Sequence, residues 1–229
     1  MMLHPFEPQS RSTHFSPRVV PRGPSPVRHR AVLATAMVWF GLTTCGLFAL
    51  SQFAATPGAK LPRQIAWPAE VRLVPDPYRH NLVLFLHPRC SCSRATVDEL
   101  AEVLATCPDR VTLHVLFYKP AGAPENWENT DTWQRINDFP RAQRYLDLDG
   151  QLAPQFDGRT SGKVMLYDPT GRLLFHGGIT RARGHAGDNP GRRSIVSLLT
   201  GVDPELTSSP VFGCPLIESE ENPPEGPVP

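Results

Sequence analysis

Ala31 to Leu50, AVLATAMVWFGLTTCGLFAL, is a long and mostly apolar stretch, and no charged residue stands between Arg30 and Lys60. About 20 such residues, rising 1.5 Å each in a helix, match the hydrocarbon core of a bilayer. Inside lipid every backbone amide must be paired within its own segment, which selects a helix. The stretch is apolar all round, unlike a helix that buries one face in a soluble core. It is longer than the apolar region of a cleavable signal, and no clear A-x-A site follows Leu50. An uncleaved transmembrane helix is therefore expected over 31–54.

The next apolar positions fall in short runs. NLVLFLH (81–87) is rich in Val, Leu and Phe and is closed by Pro88, as expected of a buried strand. In SCSRATVDELAEVLATC, Ala95, Leu100, Val103 and Leu104 lie mostly at helical spacing; Ser91 or Ser93 is expected as the N-cap, and Pro108 closes the region. VTLHVLFY (111–118) predicts a second strand. Strand, helix and strand in this order make a βαβ unit with parallel strands and a right-handed crossover. Residues 119–140 are expected to be loop-rich with one helix near 130–137, and a further short helix is expected between Asp149 and Phe156. KVMLYD and RLLFHGG flank a Pro-Thr-Gly turn and predict a hairpin, and RRSIVSLLTGV (192–202) predicts a closing amphipathic helix. The expected order is β-α-β-(α)-β-β-α: an α/β fold with a central mixed sheet flanked by helices.

Composition changes the picture mainly at the ends. Residues 1–30 hold five arginines, one acid and six prolines, and read as a basic disordered arm. With the arginines before the apolar helix, the positive-inside rule leaves this arm in the cytoplasm and sends the rest across the membrane. Residues 55–80 read as a linker, 81–203 as the folded domain, and 204–229, with seven prolines, five glutamates and no lysine or arginine, as a tail. The net charge of +1 and the lack of interleaved aromatic and basic residues argue against nucleic-acid binding. No Walker loop, dinucleotide fingerprint or H-E-x-x-H is present.

The chemistry is concentrated in the five cysteines. Cys90 and Cys92 sit where the first strand gives way to the first helix. The helix's unpaired amides and positive dipole end favour a thiolate there. Arg89 adds a positive neighbour, and His87 is close in sequence. With one residue between them, Cys90 and Cys92 can close only a small disulfide ring, which departs from relaxed geometry and favours a labile, oxidising bond. Cys90, at the strand end, is expected to be the more exposed sulfur. Cys107 is about 22 Å along the helix and reads as a buried apolar residue. Cys214, in VFGCPL, has three readings: folded back as a third thiol, paired with Cys107, or free. The loop GGITRARGHAGDNP carries His185 and is expected to approach the helix N-terminus, since a long polar loop between regular elements is commonly functional.

The layout resembles the thioredoxin-like superfamily. FLHPRCSCSRATVDEL, TSGKVMLYDPTGRLLFHGGITRARGHAGDN and VFGCPL are similar to the membrane-anchored bacterial thioredoxin-like proteins often labelled RedB, over roughly residues 80–216. The resemblance implies a reactive cysteine at Cys90 and a partner thiol at Cys92. By their positions around this pair, His87, Arg89, Ser161, Gly162 and His185 are candidate supporting or substrate-binding residues. Two departures stand out. The family motif has two residues between its cysteines, and this chain has one. The family also has a proline, normally cis, before its third strand, where this chain has Ser161-Gly162.

Three functional readings follow. The first is a membrane-tethered thiol–disulfide oxidoreductase in the inner membrane, with a periplasmic domain acting on the thiols or disulfides of other extracytoplasmic proteins and needing no cofactor. The second is a copper-handling protein using Cys90 and Cys92 with an imidazole from His185 or His87, in which the absent proline leaves the thiols open to a soft metal. The third is a non-catalytic module.

Overall fold

The computed structural model describes residues 26–58 and 66–216. Most of the basic arm (1–25), part of the linker (59–65) and the end of the tail (217–229) lie outside the described residues. The chain divides into two units, one ending at Phe48 and one beginning at Ala49. The first consists, among its described residues, of most of helix α1 (Pro26–Ala55). Arg30–Ala55 of this helix is long and apolar enough to cross a membrane, and its side chains are exposed.

The second unit is built on a five-stranded sheet in the order β3-β2-β1-β4-β5. Strands β1 (His80–Leu86) and β2 (Val111–Lys119) are parallel and joined by α2 (Ser91–Thr106), as the βαβ pattern predicts. β4 (Lys163–Tyr167) runs antiparallel to β1 and forms the expected hairpin with β5 (Leu173–Gly178). α4 (Pro190–Thr200) closes the fold.

β1 is central, so both of its faces are covered and nearly every residue is buried. On one face Leu82, Leu84 and Leu86 join Leu113, Val115 and Phe117 of β2, and Val97 and Leu100 of α2 and Ile195 of α4 pack over them. On the other, Val83 and Phe85 meet Met165, Tyr167 and Phe156. The strand period of two divides one apolar run between two cores. Truncating a side chain such as Leu100, fully buried, to alanine costs about 2–5 kcal/mol.

Three local expectations are corrected. No strand is expected from the sequence between the helix near 130–137 and the one before Phe156. β3 (Ala142–Leu148) lies there, parallel to β2 at the sheet edge. Its sequence AQRYLDL is polar because an edge strand faces solvent, with Leu148 exposed. The neighbouring α3 (Asp131–Asn137) and a 3-10 turn (Ala153–Phe156) match the expected short helices. The N-cap of α2 is Cys90, with no side-chain cap bond, rather than Ser91 or Ser93. Finally, residues 204–216 do not leave the domain. Ser208 bridges His176, Pro215 bridges Thr160, and Leu216 is buried beside Phe85 and Phe156 in the second core. A proline-rich segment carries few helix or strand signals, so its packing is set by the surfaces it crosses.

Candidate active site

β1 ends at Leu86 and the chain turns through His87-Pro88-Arg89 into α2. The turn is held at its base by Ser161, fully buried, whose Oγ accepts from the His87 amide at 3.0 Å and lies 2.7 Å from Ser93 Oγ. Ser93 Oγ in turn donates to the His87 carbonyl at 2.7 Å. The serine expected to cap the helix instead ties its first turn to the loop before β4. Gly162 follows with a φ of +88°, and a Cβ there would stand 2.8 Å from Thr96 Oγ1 on α2. Its left-handed backbone and close approach both select glycine.

Three sulfurs meet at this end of α2. The Sγ atoms of Cys90, Cys92 and Cys214 lie within 4.8 Å of one another. Of the three readings open for Cys214, the structure selects the third thiol. The segment that carries it pairs with the loop before β4: the Ser161 amide donates to the Cys214 carbonyl at 2.8 Å, and the Leu216 amide to the Arg159 carbonyl at 2.9 Å. A Cβ on Gly213 would overlap the Ser161 carbonyl, so the two backbones approach as only glycine allows. Arg183 Nη1 donates to the Gly213 carbonyl and fastens the same segment from the Gly177–Pro190 loop. Cys107, at the far end of α2, is buried in the core.

The sulfurs differ in electrostatics more than in exposure. Cys90 is 7% exposed and Cys92 4%, so the strand-end position does not leave Cys90 open as expected. The returning segment brings Cys214, the more accessible of the three, against both. Burial raises the Cys90 thiol, but hydrogen bonds from the Cys214 thiol and from the amides of Cys92, Ser93 and Cys214 outweigh it and hold Cys90 below the ordinary thiol value. Burial and the neighbouring Cys90 charge push Cys92 up, opposed by the Gly184 amide and Arg183. Burial, with the hydrogen bond to Cys90, pushes Cys214 up to about 12. Negative charge in the cluster is therefore favoured on Cys90 over Cys92 and Cys214.

The other residues named from sequence take different positions. His87 is half-buried, stacks on Tyr118 with ring centroids 5.8 Å apart, and accepts from the Arg89 amide at Nδ1 at 3.2 Å. Burial lowers its pKa, and Arg89 lowers it further. Arg89 points outward, lying over the Trp127 ring at 5.0 Å. His185 is exposed, with Nδ1 2.7 Å from the Arg183 carbonyl, and is not one of the residues whose donor atoms meet at the sulfur cluster. Its loop does approach α2, through the Gly184 amide that faces Cys92. Sequence reasoning missed what holds that loop. Glu99, buried on α2, accepts from the Gly187 amide, from Asn189 Nδ2 at 3.1 Å and from Arg192 Nη1 at 2.9 Å. An acid at an apolar position of α2 is the only signal that marks it in the sequence.

A βαβ half, an antiparallel hairpin and a closing helix, with thiols at the N-terminus of the first domain helix, complete the topology. The fold is thioredoxin-like. No protein-family model and no curated protein matches the chain. Among solved structures, it is similar to a hypothetical protein from Sinorhizobium meliloti 1021, with a TM-score of 0.52 and 19% identity over 72% of this chain and 99% of that one. It is also similar to an uncharacterized conserved protein from Geobacillus kaustophilus, with a TM-score of 0.51 and 14% identity over 72% and 94%. A secreted disulfide oxidoreductase of Mycobacterium tuberculosis lies further off, with a TM-score of 0.38 and 13% identity over 54% and 82%. At these identities the likeness to the first two is one of fold.

Proposed function

We propose that the protein is a membrane-tethered thiol–disulfide oxidoreductase, with Cys90 as its nucleophile and its domain on the extracytoplasmic side of the inner membrane. The observation that carries this reading is the Cys90 sulfur at the N-terminus of α2, hydrogen-bonded by a thiol and by amides so that the thiolate is favoured. Only a thiolate attacks a disulfide. Cys90 forms a mixed disulfide with a protein substrate and releases one substrate thiolate. A second thiol of the cluster, for which sequence nominates Cys92, then attacks Cys90 and frees the other substrate sulfur. His87, Ser161 and Gly162 shape the turn that presents Cys90, while Arg89 and His185 stand at the rim as substrate contacts. An oxidising compartment suits such a pair, and the RedB-like resemblance is consistent with it.

A second reading has its own observation. Three sulfurs within 4.8 Å are a soft donor set suited to monovalent copper, with Cys214 in the place sequence gave to His185. Such an ion would be held by the three cysteines as thiolates.

One set of measurements on the reduced full-length protein in detergent tests both. Under oxidoreductase chemistry, Cys90 alkylates fastest, with a pH midpoint below that of free cysteine, and Cys90→Ser abolishes disulfide exchange. If no thiol reacts faster than free cysteine, that reading fails. Under the copper reading, anaerobic Cu(I) titration gives one tight site that is weakened by Cys214→Ser and unaffected by His185→Ala.

A further inference from the structure

We propose that Cys214, rather than Cys92, is the thiol that closes on Cys90. The oxidised protein then carries a disulfide between the start of α2 and the returning C-terminal segment. The inference rests on the oxidoreductase reading and names its resolving residue.

Two features of the structure set the two candidates apart. Cys92 is separated from Cys90 by Ser91 alone and belongs to the first turn of α2, where the Cys90 carbonyl already accepts from the Ser93 amide at 3.1 Å. Joining these sulfurs closes a small ring across a formed helical turn, and relaxed disulfide geometry needs Cβ vectors that face each other. The Cys92 sulfur is moreover engaged by the Gly184 amide. Cys214 comes from a separate strand of chain. Its backbone is held by Ser161 and, through Gly213, by Arg183, while its thiol is hydrogen-bonded to Cys90. A bond between them closes a long loop with no small ring, and needs only that the sulfurs move from their present approach to about 2.05 Å. Cys214 is also the most accessible of the three, so the product disulfide keeps one sulfur within reach of an external thiol. The close packing of Gly213 on Ser161 has a function in these terms: it delivers Cys214 to the reacting sulfur.

The steps balance. The Cys90 thiolate attacks a substrate disulfide, forming Cys90–S–S–substrate and expelling a substrate thiolate. Cys214 gives up its proton to solvent and attacks the Cys90 sulfur. The Cys90–Cys214 bond forms, the mixed disulfide breaks, and the second substrate thiolate leaves. Two electrons pass from the protein dithiol to the substrate. In the opposite direction, a substrate dithiol attacks the Cys214 sulfur, the more accessible end of the bond, and Cys90 leaves as the thiolate.

Full-length protein in detergent, equilibrated with oxidised glutathione, acid-quenched and digested with trypsin, tests this directly. Cys90 and Cys92 share the peptide CSCSR, and Cys214 lies on the peptide beginning at Ser194. The expected product is the two peptides joined, with fragmentation placing the bond at Cys90. Cys214→Ser should let the Cys90–glutathione mixed disulfide accumulate, prolonging its lifetime by more than about tenfold. Gly213→Ala should do the same with all three cysteines retained. Cys92→Ser should still form the Cys90–Cys214 bond. An internal disulfide within CSCSR that survives Cys214→Ser overturns the inference and leaves the oxidoreductase standing. Absence of any protein disulfide across the glutathione range overturns both.

Discussion

At the residue scale, the same physics that selects a thiolate at Cys90 keeps a different side chain neutral. His114 is fully buried on β2, with Nε2 3.1 Å from Asn81 Oδ1, an oxygen that also accepts from the Asp76 amide, so Nε2 carries the proton. Trp67 lies edge-on at 5.3 Å. Burial lowers its pKa from 6.5 to about 4, against an opposing pull from Asp76. Below 6.5 the unfolded chain gains a proton that the folded chain refuses. Stability therefore falls as pH drops from 6.5 to about 4, by about 3 kcal/mol for this one group. Chemical denaturation across this range should show that loss in the wild type, and His114→Phe should remove that part of the slope even though it lowers stability at neutral pH. An unchanged slope would assign the acid sensitivity elsewhere. Charge is thus held at Cys90, where amides and a thiol converge on the sulfur, and expelled at His114, where burial outweighs the pull of Asp76.

At the scale of elements, α2 does two things. Its N-terminus presents Cys90 and Cys92, and about two turns further along Glu99 holds the loop that faces Cys92. Asn189 links the two by capping α4 through Oδ1, which accepts from the Arg192 amide at 2.8 Å, while its Nδ2 reaches Glu99. Glu99→Gln removes the charge that pairs with Arg192 and leaves a buried donor where an acceptor stood. A cost of about 2 kcal/mol is expected in denaturant unfolding. Amides of residues 183–189 should exchange hydrogen faster than in the wild type, while those of β1 and β2 stay protected. Equal change throughout would mean that Glu99 acts on the whole fold rather than on this loop. β3 shows why elements are legible to different degrees. β1 and β2 are buried on both faces and betray themselves as apolar runs; β3, at the edge, buries only Asp147 fully and does not.

At the scale of the whole molecule, the charge-free span after Arg30 and the helix Arg30–Ala55 predict the arrangement about a membrane. A reporter that is active only outside the cytoplasm, fused after residue 60, should be active, and the full-length protein should sediment with membranes and resist extraction by salt or alkali. A soluble product beginning near residue 52 would instead establish a cleaved signal.

What could be read from residues alone follows from local rules. An apolar span without charge, a β-α-β run followed by a Pro-Thr-Gly hairpin, and a Cys-x-Cys at a strand-to-helix junction each carry their signal within a few consecutive positions. The thioredoxin-like fold and the thiols at its first helix were legible for that reason. The identity of the third sulfur was not. Cys214 is more than a hundred residues from Cys90, in a proline-rich segment with no periodicity, and its place depends on a backbone contact between Gly213 and Ser161 that neither segment announces. The same holds for the burial of Cys90, for His185 standing outside the sulfur cluster, and for the role of Glu99. Each is a pairing between distant parts of the chain, and only packing the chain into three dimensions specifies which partners meet.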